Sequence, residues 1–252
     1  MLHTKVRREW SSLSAEERGV LSAAASAALG AASGTPLVAR RLCLVLAAAG
    51  ARSAPAEAEA FLRQALAVAT TGGAANLQLA LPLLHALAEE ADDAPRARRA
   101  ALLAPLAPAL GDVLALCERA LAERVVPRAD ALRCTLAWLR LHPEAPGGGV
   151  ASGGFLLLSP PAFARGAPGL FAAALACMTA QHEADATAGV DLLVEVHSAS
   201  NARDTPDAEA AVAEETIRTL LAARDAAAVP EGEPIARCGA AHGMHATLSR
   251  HS

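Results

Sequence analysis

Apolar positions in this chain recur at three- and four-residue spacing, and short Gly, Pro or polar breaks interrupt them, which is the pattern of amphipathic helices in succession. The clearest pair lies between Leu13 and Ala51. Ser14 followed by Glu17 has capping-box spacing, and Val20, Leu21, Ala24, Ala25 and Ala28 form a helical stripe behind it. Ser33-Gly34 breaks that helix. Thr35-Pro36 opens the next with a hydroxyl at the N-cap and a proline at N1. Its stripe is Val38, Leu42, Val45, Leu46 and Ala49, with Gly50 expected as the C-cap. Leu37, Cys43 and Leu44 make this helix apolar around most of its circumference, so it needs neighbours on two or three sides.

The same punctuation continues along the chain. Before the hairpin, Leu2–Trp10 reads as the tail of a helix. After it, the spacing predicts a helix from Pro55 with Phe61, Leu62, Ala65 and Leu66 inward, ended by Gly72-Gly73. Residues 74–91 follow with Leu77, Leu81, Leu84 and Leu87, bent or delayed by Pro82. A long helix over 96–124 is expected to kink near Pro105 and Pro108, carrying Val113, Leu116, Cys117 and Leu121 after the kink. Residues 129–141 place Leu132, Leu136 and Leu139 on one stripe, with Cys134 and Trp138 expected in the core. A Pro/Gly-rich loop over 142–154 precedes helices over 161–181, 182–198, 206–225 and 235–252. Alternate helices start near 35, 74, 128, 183 and 234, an uneven period of roughly 40–57 residues that suits paired-helix repeats. The expected fold is all-α: an α-α superhelix of HEAT or armadillo type, with about five antiparallel helix pairs in a single unit over 1–252.

Composition agrees with this. Roughly a quarter of the 252 residues are alanine, tyrosine is absent and there are only two tryptophans, which favours helix over sheet. A net charge of −4 leaves no basic footprint for nucleic acid, so no direct nucleic-acid contact is expected. No apolar run reads as long enough for a membrane span, and MLHTKVRREW lacks the apolar core of a signal peptide. Cys43, Cys117, Cys134, Cys177 and Cys238 are widely spaced without a CxxC, as buried reduced thiols would be.

Candidate chemistry is sparse. His242 and His245 share a helical face but lack further ligands beyond Cys238, so no metal is expected. Glu89-Glu90 and Asp92-Asp93 read as a solvated helix end. Gly147–Gly149 lacks the strand and lysine of a phosphate loop, and the serine of GVASGG lacks a nucleophile-elbow context. Glu183, beside His182, complements a helix start. No catalytic set and no cofactor are expected, and the chain is not read as an enzyme.

Several segments, taken in order, resemble the N-terminal part of the importin-β superfamily, the karyopherins, in its transportin-SR and importin-thirteen branch. They are Lys5–Trp10 with Leu13-Ser14, and then Arg18, Leu21, Pro36, Val38, Leu42, Leu44 and Ala47. Leu87, Glu89 and Glu90 continue the pattern, with Ala88 where it has proline. Leu132, Arg133, Cys134 and Trp138 follow, with Ala137 where it has serine, and then Ala188, Val190, Asp191, Leu193 and Glu195. The resemblance implies a HEAT-repeat nuclear transport receptor that shuttles between nucleus and cytoplasm. Its implied partners are Ran in the GTP form, protein cargo with SR-type splicing factors as candidates, and nucleoporins. The family's first repeat, the start of its second and its long C-terminal arch have no counterpart here, so the chain reads as a piece truncated at both ends. The resemblance also implies that the helices near 15–32, 55–70, 97–123, 161–181 and 206–225 are the inner set. Their acids (Glu16, Glu17, Glu57, Glu59, Glu118, Glu123, Asp207, Glu209, Glu214 and Glu215) would then suit a basic partner, or simply be solvated. The alternative is a generic HEAT scaffold or regulatory subunit, which would bind without regard to nucleotide.

Overall fold

The computed structural model describes residues 2–32, 34–71, 73–141, 160–178, 180, 182–201, 214, 217 and 218. Among them every element is helical and no strand occurs, as the alternating capped segments predict. The helices are α1 (Leu2–Glu9), α2 (Ala15–Ala31), α3 (Pro36–Arg52), α4 (Pro55–Thr71), α5 (Ala74–Asp92) and α6 (Arg96–Leu106). They continue with α7 (Leu110–Ala122), α8 (Arg128–Arg140), α9 (Pro160–Gly166), α10 (Pro168–Cys177) and α11 (Glu183–Asn201). The expected helices over 206–225 and 235–252, and the loop over 142–154, fall almost wholly outside the described residues.

Two rows of helices make the stack. Along one row α1 packs on α3, α3 on α5, α5 on α8 and α8 on α11. In the other, α4 meets α6 and α7, and α7 meets α10; hairpin partners α2–α3, α4–α5, α7–α8 and α10–α11 join the rows. A continuous core runs between them from Leu29 to Val196, with Leu62, Leu84, Leu102, Leu132, Trp138 and Phe163 fully enclosed. Alanine is the main filler, and small side chains let neighbouring axes approach. Gly189 of α11 is the extreme case: a β-carbon there would come within 2.7 Å of the Ala174 carbonyl oxygen on α10.

Local details both meet and correct the expectations. The Ser14–Glu17 capping box is present, with Glu17 N–H donating to Ser14 Oγ at 3.2 Å and Ser14 N–H donating to the Glu17 carboxylate at 2.8 Å. Thr35 occupies the N-cap of α3, but its hydroxyl makes no cap bond. Gly50 is not a C-cap. It lies buried inside α3, which continues to Arg52 and closes at Ser53. The α2 stripe is misplaced too: Leu29 is the only residue of α2 that is buried, while Val20 and Leu21 are 64% and 45% exposed. α2 packs mainly on α3, and an alanine-rich helix buries whichever face its neighbour happens to cover. Leu37 and Val38 at the start of α3 also face solvent.

Proline sets the remaining breaks. α5 continues through Pro82, whereas Pro105 and Pro108 divide the long segment into α6, a 3-10 turn and α7 as expected. The helix expected over 161–181 is instead two, because Pro168 opens α10 at N1 and Ala167 before it is held out of the helical region, at ψ 64°. The stretch Arg96–Ala122 does have the length and composition of a membrane-crossing helix, contrary to the sequence reading. Here a 3-10 turn over Ala107–Ala109 interrupts it, and Leu102, Leu106, Val113 and Cys117 lie in the core.

Charged side chains close many helix ends on neighbouring helices. Arg98 donates to the carbonyls of Ala51 and Ser53 at the end of α3, Arg119 to Ala69 at the end of α4, and Arg99 to Arg140 at the end of α8. Carboxylates do the converse at helix starts. Asp185 accepts the Ala129 N–H of α8, and Glu118 accepts the Gly169 and Leu170 N–H groups of α10. In each case the sign of the charge matches the orphan groups and dipole it meets.

Candidate functional site

Helix geometry brings one stretch of α5 to the surface of the α1–α3–α5–α8–α11 row, where it forms the middle of a cleft of about 510 Å³. Leu44 of α3, Ala88 of α5, and Leu136 and Ala137 of α8 supply its apolar lining. Charged side chains supply the rest.

At one end Glu90 is 5% exposed and carries three basic partners. Its carboxylate lies 2.7 Å from His3 Nε2, accepts from Arg7 Nε at 3.1 Å and accepts from Arg52 Nη1 at 2.7 Å. Arg7 Nη2 also donates to Asp93 at 2.8 Å, and Arg52 Nε donates to the Arg7 carbonyl at 3.0 Å. The hydrogen bond to Asp93, aided by the charge of Glu90, raises the Arg7 pKa above its ordinary value. This corrects the expectation of a solvated Glu89-Glu90 pair. Successive residues on a helix do not face the same way, so Glu89 meets water while Glu90 turns beneath α1 and α3.

In the middle His85 is half-buried, with Nε2 3.5 Å from the Glu89 carboxylate. Burial, the largest influence, lowers its pKa; Glu89 and Asp130 oppose that, while Arg40 and Arg133 reinforce it. At the far end Arg140 Nε donates to Glu195 at 2.8 Å, and Arg133 reaches Asp130 only at 3.8 Å. Asp191 completes that wall. Apolar contact area with charged groups held at fixed positions can receive a complementary protein surface, because the ordering cost of those side chains is already met in the fold.

The opposite row is less available than its acidic residues suggest. Glu17 is committed to the capping box, Glu57 accepts the Ala54 N–H and Glu118 caps α10. Glu59 pairs with Arg63 on α4, Glu123 with Arg119 at the end of α7, and Glu214 with Arg218. Glu16 is exposed, while Asp207, Glu209 and Glu215 lie outside the described residues, as do His242, His245, Cys238, Gly147–Gly149 and the serine of GVASGG. Glu183 opens α11 as its spacing implies.

Among the described residues no three His, Cys, Asp or Glu side chains gather as a metal-binding group. Cys43, Cys117, Cys134 and Cys177 are free and buried, and burial pushes the Cys43 thiol up to about 11. The cleft itself was missed in the sequence because its walls come from five helices. No protein-family model matches the chain, and no curated protein matches it.

Proposed function

We propose that this chain is a protein-binding helical-repeat segment of the karyopherin kind, part of a nuclear transport receptor that takes Ran in its GTP form together with protein cargo. The observation that supports the protein-binding part of this reading is the cleft on the α1–α3–α5–α8–α11 row, opposite the helices that the resemblance makes the inner set, where small apolar residues lie between fixed, mostly paired charges. Such a surface suits recognition of a folded partner through complementary charge and modest apolar contact. The ordered resemblance along the sequence supplies the partner class; nucleoporin contact and shuttling between nucleus and cytoplasm follow from that same resemblance.

The test is a pulldown of purified Ran, loaded with GTP or GDP, on the immobilised chain. Retention of the GTP form over the GDP form is the expected result, and Arg133→Glu, which reverses a charge on the cleft wall, should weaken it. Binding that ignores the nucleotide would remove the transport reading in favour of a generic HEAT scaffold. Absence of Ran binding in both states would remove Ran as the partner.

A further inference from the structure

We propose that α1 is a separately opening strap, latched onto the stack by charge, and that its release turns one end of the cleft acidic. Three observations carry this. First, α1 does not share the main core. Val6 and Trp10 pack with Val45, Ala48 and Ala49 as a small cluster of their own, and Trp10 adds one bond from Nε1 to Ser53 Oγ at 3.2 Å. Second, the backbone of α1 lies on α3, and its hold on α5 runs through His3 and Arg7 to Glu90 and Asp93. Third, those same side chains line the cleft.

Outside that small cluster, α1 is seated by its ion pairs to Glu90 and Asp93 and by the Arg52 bond to the Arg7 carbonyl. Segments with few apolar contacts and many polar ones open well below the global unfolding free energy. When α1 lifts, the Arg7 charge leaves; Glu90 keeps Arg52, and Asp93 loses its ion pair with Arg7. The docked strap therefore occupies with its own cations the place that a partner's basic group would take. That competition rests on the cleft being the partner-binding face; the opening itself does not.

Native-state hydrogen exchange followed by mass spectrometry on the full chain tests the strap without any partner. Amides of residues 2–10 should exchange roughly tenfold or more faster than the buried amides of α5 and α8. Arg7→Gln should speed α1 further and leave α5 and α8 unchanged, and so should raising salt to about 0.5 M, which screens the ion pairs. Exchange of α1 in step with α5 and α8 would overturn the proposal. So would an Arg7→Gln variant that leaves α1 unchanged or loosens all three helices alike. Trp10→Ala provides the control: if it frees α1 while Arg7→Gln and salt do not, the seat is apolar and the charge latch is refuted. A negative Ran pulldown would leave these rates untouched, so the two readings fail separately.

Discussion

The Phe61 ring of α4 stands where a side chain at Gly50 of α3 would be: a β-carbon there would lie 2.9 Å from Cδ1 and 3.2 Å from Cε1. Gly50 thus sets how closely α3 and α4 approach. Replacing a mid-helix glycine by alanine ordinarily gains about 1 kcal/mol. Here overpacking should outweigh that gain, so Gly50→Ala is expected to destabilise by about 1–2 kcal/mol in urea unfolding. In a Phe61→Ala background the same change should become stabilising. A double-mutant cycle without that reversal of sign would show that the ring can swing aside freely.

Trp138 is enclosed as the sequence spacing predicts, and its Nε1 donates to the Leu84 carbonyl at 3.0 Å, joining α8 to α5. Trp138→Ala should cost about 3–5 kcal/mol, the range for emptying an aromatic core site. Trp138→Phe keeps much of the apolar contact and should cost less. A melting temperature unchanged by either substitution would contradict the packing described.

Burial lowers the His85 pKa from its ordinary 6.5, so the folded protein disfavours the imidazolium that the unfolded chain accepts readily. Its contribution is therefore fully present above pH 6.5 and is lost as pH falls toward the lowered folded value. His85→Gln should flatten the stability curve in that window. Denaturant midpoints measured across the window, for both proteins, check this; parallel curves would exclude His85 as a source of the dependence.

Arg124 has φ of 53°, in the left-handed region, at the end of α7. Val125 N–H donates to the Ala120 carbonyl at 3.1 Å and Arg124 N–H to the Leu121 carbonyl at 3.2 Å, the paired bonds of a Schellman close. A glycine fits that conformation without a β-carbon clash, so Arg124→Gly should stabilise by about 1 kcal/mol. Thermal unfolding should show a higher midpoint, and a lower one would mean that the arginine side chain contributes more than the backbone strain removes.

Cys43, Cys117, Cys134 and Cys177 should resist alkylation in the folded protein, because their thiols are enclosed and burial raises the pKa of Cys43, Cys134 and Cys177. For Cys134 a hydrogen bond with Cys117 adds to the effect and is its leading cause. Mass-spectrometric mapping after brief iodoacetamide treatment should find these four unmodified until denaturant is added. Rapid labelling of Cys117 or Cys134 in native buffer would mean that α7 and α8 separate more readily than their packing implies.

The sequence by itself determined the helices and most of their ends. The Ser14–Glu17 box, the Pro55 start and the break at Pro105 and Pro108 are local events, fixed by backbone geometry and by which N–H groups exist. Helical spacing and alternation also carried the paired, all-α architecture, along with the burial of Trp138 and Cys134. Tertiary structure decided which face of each alanine-rich helix turns inward. Alanine fits either side of such a helix, so Val20, Leu21 and Val38 read as stripe residues but face water. It also decided the role of each charge. Glu90 is buried while Glu89 is exposed, and Arg98, Arg119, Glu118 and Asp185 close helix ends on neighbouring helices. Those roles depend on contacts between residues some 40 to 90 positions apart, and only packing the helices together, within and between the rows, brings them within hydrogen-bond reach.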